Sequence, residues 1–242
     1  MKIGVNGKTY DRWHMKGGSQ VHQKTLYEQG NEKSGTFTSL VKWFGEGENV
    51  ILEDERTFAV LPPNGPFYTT IDVTSKIKAV AGDTTLDGDP EHSGLQFRPA
   101  QEVDRSKTVY VYPKENANAH KDKDYAWFGE TFSLNGKSYS VVYLNHPDNP
   151  KGAAISAYRD YGRFGAFFKT SIKKDETLTL KVRFLISQGE MPSADVLQKA
   201  WNDFAGKTEP TPVITVKPAE KPAPKKPKVE VKKETSPATA KP

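Results

Sequence analysis

Alternation of apolar and polar residues dominates the chain and places most of its predicted strands. Phe67, Thr69, Ile71 and Val73 alternate with Tyr68, Thr70, Asp72 and Thr74, and the run continues through Ile77-Lys78-Ala79-Val80. Leu178, Leu180, Val182, Phe184 and Ile186 fall on one face of Thr177–Ser187. β-Branched and aromatic residues at a period of two fit a pleated, half-buried surface better than a helix. The same pattern predicts strands over Lys2–Tyr10, Phe37–Phe44, Val50–Leu61, Val103–Tyr112, Tyr125–Leu134 and Lys137–Leu144. Asn135-Gly136, flanked by two such runs, is the clearest hairpin signal, and Asn6-Gly7 is another. Both dipeptides supply the positive φ angles that a tight hairpin turn needs.

Between the strands, Pro62-Pro63-Asn64-Gly65-Pro66 and Asn145-His146-Pro147-Asp148-Asn149-Pro150 read as turns, since proline fixes the backbone and restricts the residue before it. Trp13–Gln23 reads as a glycine-containing loop and Lys114–Asp124 as a mobile polar loop. Only the end of the chain carries a helix signal. Ser193 is placed to cap Ala194–Phe204, and Gly206 to stop it. Its stripe of Val196, Leu197, Ala200, Trp201 and Phe204 fits packing against a sheet. The expected fold class is all-β: a large antiparallel β-sandwich with a short C-terminal helix and a disordered tail.

Composition sharpens the boundary of that domain. The 242 residues carry a net charge of +5. Residues 207–242 hold nine Lys and four Glu, which leaves 26 basic and 26 acidic residues in 1–206. The positive charge therefore belongs to the tail and says nothing about what the domain binds. Eight of the 17 prolines also lie after residue 209, a composition that buries too little apolar surface to offset chain entropy. We expect a folded domain over 1–206 and a disordered Lys/Pro-rich tail over 207–242. Lys225-Lys226-Pro227-Lys228 is the stretch that would contact polyanions weakly by charge. There is no cysteine, which excludes disulfides, thiolate metal sites and cysteine nucleophiles. No run approaches the ~18 apolar residues of a membrane span. Met1–Lys8 has too short an apolar stretch for a signal peptide, so the sequence as written reads as cytoplasmic, or as exported if translation starts upstream.

Candidate chemistry centres on Asp87–Pro99. A turn, Asp87-Gly88-Asp89-Pro90, delivers the chain into an alternating segment in which Leu95 and Phe97 face one side and Gln96 and Arg98 the other. His92 lies on the approach, and a histidine, an amide and a guanidinium together can hold a polyhydroxylated or anionic ligand. The plainer reading is a strand with a polar outer face. By the same alternation Glu91 would point away from His92. His14 and His22, eight residues apart, bracket the Trp13–Gln23 loop without a close metal-ligand spacing.

Four segments in order, Trp13-His14…His22, Gly88–Arg98, Tyr143–Pro150 and Arg159-Asp160-Tyr161-Gly162-Arg163-Phe164-Gly165, resemble the soluble bacterial family labelled "methane oxygenase PmoA" over residues 1–206. The particulate methane monooxygenase subunit of that name is a helical membrane protein, so the label does not bring its activity to a chain of strands and turns. The resemblance implies a large sandwich similar to the galactose-mutarotase and glycoside-hydrolase supersandwich proteins, and a place in carbohydrate catabolism. It also implies further N-terminal strands with a His-His-Arg-Gly segment, which this chain lacks, and hence exposed sheet edges at Lys2–Tyr10. On that reading His92 is the candidate catalytic acid. Trp13, His14, His22, Gln96, Arg98, Arg159, Tyr161 and Arg163 are the candidate binding residues, for a carbohydrate or sugar acid. No cofactor is implied. The alternatives are a non-catalytic interaction module with a basic tail, and an oxygenase in which His14, His22 and His92 converge on copper or iron.

Overall fold

The computed structural model describes residues 1–14 and 17–221. Its first strands are β1 (Lys2–Val5), β2 (Lys8–Asp11), β3 (Gln20–Gly30), β4 (Gly35–Phe44), β5 (Val50–Leu61), β6 (Thr69–Ala79), β7 (Thr84–Asp87) and β8 (Leu95–Phe97). There follow β9 (Val109–Tyr112), β10 (Trp127–Leu134), β11 (Lys137–Asn145), β12 (Ala154–Ser156), β13 (Phe164–Phe167), β14 (Thr170–Ile172) and β15 (Thr177–Gln188). Helix α1 (Ala194–Ala205) and β16 (Thr215–Pro218) close the described chain.

These strands make a nine-stranded sheet, in the order β16-β9-β10-β11-β15-β6-β5-β4-β3, with a four-stranded sheet (β14-β7-β1-β2) and a three-stranded one (β12-β13-β8). Every paired strand in them is antiparallel. The expected all-β antiparallel sandwich with one short helix is the observed architecture.

Alternation in β15 shows how the layers form. Val182 and Phe184 join Phe128, Tyr143, Ile155 and Phe164 in a core between the large sheet and the three-stranded one. Leu185, one position along, turns to the opposite face and meets Leu197 and Trp201 of α1, with Trp127, Val142 and Leu144. A third core lies between Ile3, Val5, Tyr10 and Leu86 of the four-stranded sheet and Trp43, Leu52, Ile77 and Ala79 of the large one. Each fully buried Leu, Val or Phe contributes about 1.5–3 kcal/mol. The Asn-Gly turns form as expected, with φ of 51° and 73° at Asn6-Gly7 and 50° and 75° at Asn135-Gly136. Gly206 stops α1 in the left-handed conformation, whereas Ser193 makes no side-chain cap hydrogen bond.

Four expectations are corrected. The last four residues of the Trp13–Gln23 loop are strand, because β3 begins at Gln20. β3 is the outer strand of the large sheet and exposed along its whole length, so no buried face imposed a period on it. Lys114–Asp124 is a packed loop: Asp122 accepts from the Asn118 amide and the Tyr125 hydroxyl, and Ala117 and Ala119 are buried. β1 lies between β7 and β2, leaving only β2 as an edge. The folded chain also runs past residue 206, because Thr215–Pro218 pairs with Tyr112–Val109. The backbone of β9 offers that strand a free edge, which outweighs the low apolar content of the segment. The rest of the predicted tail, with Lys225-Lys226-Pro227-Lys228, lies outside the described residues. Among the described residues no helix is long and apolar enough to cross a membrane.

Candidate functional site

Loops from the two small sheets gather chemistry at one place. The loop after β2 brings Trp13, the β7–β8 loop brings Glu91 and His92, the segment after β8 brings Arg98 and Arg105, and the β12–β13 loop brings Tyr158, Arg159, Tyr161 and Arg163. Glu91 is at the centre. Its carboxylate accepts from the Tyr158 hydroxyl at 2.7 Å and from Arg159, and lies 3.7 Å from Arg163. Burial alone would raise the Glu91 carboxyl, but the hydrogen bonds from Tyr158 and Arg159 outweigh it and hold the group below its ordinary value.

Around this anchor the aromatic rings and guanidiniums interleave. Arg163, 6% exposed, has its guanidinium carbon 5.5 Å from the ring centre of Trp13 and 5.5 Å from that of Tyr161. Arg98 and Arg105 lie over the same Tyr161 ring at 5.7 and 5.8 Å. Each such contact contributes roughly 0.5–2 kcal/mol. Trp13, 48% exposed, also packs on the His92 imidazole with ring centres 4.3 Å apart. His92 Nδ1 stands 2.8 Å from the Asp89 carboxylate, which leaves Nε2 as its remaining ring nitrogen.

Beneath the β12–β13 loop is a second carboxyl. Glu130, on β10, is 0% exposed, and neither of its oxygens meets a partner. Burial drives this carboxyl well above the ordinary range. Arg159 Nε, Arg163 Nε, Ser93 Oγ and Gln96 Oε1 are likewise buried without a partner. Unsatisfied polar atoms of this kind are costly, and several of them cluster around one pair of loops.

Of the residues singled out in the sequence, Trp13, His92, Arg98, Arg159, Tyr161 and Arg163 come together here. Gln96 does not face outward beside Arg98. Its amide nitrogen donates to the carbonyls of Pro90 and Ser93 at 3.0 and 2.8 Å, so it braces the turn that carries Glu91. His14 is drawn back onto Asp11 at 2.7 Å. His22 sits on β3, the outer strand of the large sheet, apart from this cluster. The three histidines form no common donor set, and among the described residues no group of three His, Cys, Asp or Glu is placed to hold one ion.

Glu91 and Tyr158 were missed. Residues 89–94 form a turn that ends where β8 begins at Leu95, so strand alternation does not apply to Glu91. Glu130 was missed as well, although its phase with Phe128 and Phe132 marks it as pointing into the core.

A family model described as a family of unknown function (DUF6807) matches residues 4–202. It lends no support to the methane-oxygenase label. No curated protein matches the sequence. Among solved structures, the chain is similar to a protein described as a kojibiose phosphorylase from the human microbiome, with TM-score 0.47 and 8% identity over 86% of this chain and 25% of that one. It is also similar to the galactosidase domain of an alpha-galactosidase–sucrose kinase, with TM-score 0.46 and 12% identity over 78% of this chain and 30% of that one. A beta-arabinopyranosidase gives TM-score 0.37 and 12% identity, over 72% and 31%. The chain thus spans about a quarter to a third of the solved proteins it matches. Those proteins are carbohydrate-active, and likenesses at this level assign no activity to this chain.

Proposed function

We propose that this chain, which belongs to the family of unknown function DUF6807, binds carbohydrate, with acidic sugars preferred, on the platform of Trp13, His92, Arg98, Arg159, Tyr161 and Arg163. One observation carries the reading. Three guanidiniums, those of Arg98, Arg105 and Arg163, converge on the ring of Tyr161. Among the described residues only Arg163 of the three has a carboxylate within reach, Glu91 at 3.7 Å. Like charges gathered on one ring favour an anion, and a guanidinium fork matches a carboxylate or a pair of hydroxyls. The half-exposed Trp13 ring, fixed between His92 and Arg163, supplies an apolar face for a sugar ring.

Within this reading Glu91 stays ionised and holds the arginines in place. His92, with Nδ1 engaged by Asp89, presents Nε2 as the group able to pass a proton to a sugar oxygen, should the ligand be turned over. Calorimetric titration against a panel of neutral sugars and uronic acids tests it. Saturable binding of a uronate is expected, lost in Trp13→Ala and His92→Ala. Binding is weakened about tenfold in Arg163→Lys, or ~1.4 kcal/mol. Flat titrations across the whole panel would sink it.

A further inference from the structure

A separate cavity of about 240 Å³ lies inside the sandwich, between the large sheet and the small ones. Its walls are mainly apolar, with Trp43, Val73, Leu95, Phe167 and Val182 among them. None of Trp13, Glu91, His92, Arg159, Tyr161 and Arg163 lines it. Its polar end is built by β5 and β6. Asp54, 0% exposed, accepts from Ser75 Oγ at 2.6 Å and from Arg56. Asn149 also lines the space, but its amide is used up by Asn145, the Lys181 carbonyl and the Lys181 amide.

One donor is left over. Trp43, 3% exposed, lines the cavity, and its indole Nε1–H is buried without an acceptor. Trp43 pairs with Leu52 in register, two positions from Asp54 on the same face of β5. Diagonal neighbours of that kind stand about 7–8 Å apart at the backbone, near enough for their side-chain tips to share one hydroxyl that accepts from the indole and donates to the carboxylate. A carboxylate oxygen keeps lone-pair capacity after one hydrogen bond.

We propose that this cavity is a ligand site for a small neutral ring bearing a hydroxyl group, a phenol or a cyclic alcohol. Neutrality follows from the Asp54–Arg56 pair, which leaves no net charge at the polar end. A sugar would press several hydroxyls against Phe167, Leu95 and Val182 without partners, at a cost for each. The size is right for one ring, because an engineered cavity of ~150 Å³ already holds benzene. Arg56 and Gln20, both reached by solvent, line the space as well and mark the way in.

The test uses phenol, cyclohexanol, benzene and glucose as probes of the whole chain, followed by chemical-shift perturbation and thermal shift. Saturable binding of phenol or cyclohexanol is expected, at least tenfold tighter than benzene, with no glucose-induced shifts at the residues lining the cavity. Trp43→Phe keeps the wall and removes the donor, and should weaken phenol about tenfold. Leu180→Trp fills the space and should abolish binding. Because an overpacked variant can fail to fold, Ser75→Val serves as a milder second block and should weaken phenol in the same way. Absence of saturable phenol and cyclohexanol binding would overturn the proposal. So would binding unchanged in folded Trp43→Phe and Ser75→Val. Since uronate titration reads the Tyr161 platform separately, either site can fail without the other.

Discussion

Gly162 lies directly over the Glu130 carboxyl. A Cβ at position 162 would stand 3.2 Å from both carboxyl oxygens and 2.8 Å from Pro99 Cγ, and the residue has φ of +75°. This contact seats the β12–β13 loop, and with it Tyr161 and Arg163, on the large sheet. Gly162→Ala is therefore expected to lower stability by about 1–2 kcal/mol, a fall in Tm of roughly 2–8 °C. Gly136, also at φ +75° but with open space around it, provides the control. Gly136→Ala bears the backbone strain alone, so a smaller fall there assigns the excess at 162 to the contact. Equal falls in the two variants would show that the loop does not rest on Glu130.

Glu130 also gives stability a pH dependence whose sign is fixed. Its folded pKa is raised by burial, so between the ordinary unfolded value, ~4.3, and the folded value the native state binds more protons than the unfolded chain. Its contribution is full below ~4.3, declines as pH rises through that window, and is lost above the folded value. Glu130→Gln cannot ionise. Denaturant titrations from pH 4 to pH 9 should show the variant gaining on the parent as pH rises, and two parallel curves would contradict the assignment. Glu91 works in the opposite direction: its lowered pKa stabilises the fold above the same ordinary value, ~4.3, and that contribution disappears as pH falls through the folded value.

How much of this was legible before the fold was seen depends on what enforced a pattern. β6, β10, β11 and β15 each bury at least one face, so selection for a core wrote a period of two into them, and the Asn135-Gly136 turn fixed the register of β10 against β11. β3 buries neither face, and β8, β12 and β14 are three residues long, too short to carry a period. The site depends on loops, where direction is set by turns and not by alternation. That is why Arg159, Tyr161 and Arg163 could be picked by residue type, whereas Glu91, the charge partner of the two arginines, was assigned to the wrong side. Gln96 was read correctly as lying opposite Leu95 and Phe97, but its amide found carbonyls within its own loop before it could reach solvent.

The bare edge of the large sheet predicts self-association. Val21, Leu26 and Tyr27 on β3 are exposed, as are Phe37 on the adjoining β4 and Val60 on β5, the next strand in. Register shifts between His22 and Lys24 and between Thr25 and Tyr27 bend this edge, which limits pairing without abolishing it. Leu26→Lys should reduce concentration-dependent light scattering while changing stability by no more than about 0.5 kcal/mol. Unchanged scattering would place the association, if any, on another face.

β16 closes the opposite edge and reaches the site, so where the chain is cut decides what a truncation tests. Thr215 accepts from the Ala117 amide and donates to the Lys114 carbonyl, and Lys217 reaches the Ala117 carbonyl. Beyond the strand, the Glu220 amide donates to the Tyr158 carbonyl at 2.8 Å, and its carboxylate lies 2.9 Å from His120, which packs on the Tyr158 ring. Tyr158 in turn donates to Glu91. A chain ending at Ile214 loses this whole connection, whereas one ending at Lys221 keeps every contact described. With several hydrogen bonds lost at about 0.5–1.5 kcal/mol each, the shorter chain should be less stable by a few kcal/mol. Its Tyr110 and Tyr112 amides should exchange faster, and any uronate binding should weaken. Deleting everything after residue 206 would therefore confuse loss of the tail with loss of a strand. Identical hydrogen exchange and denaturant midpoints for the two truncated chains would show that β16 contributes nothing to the fold.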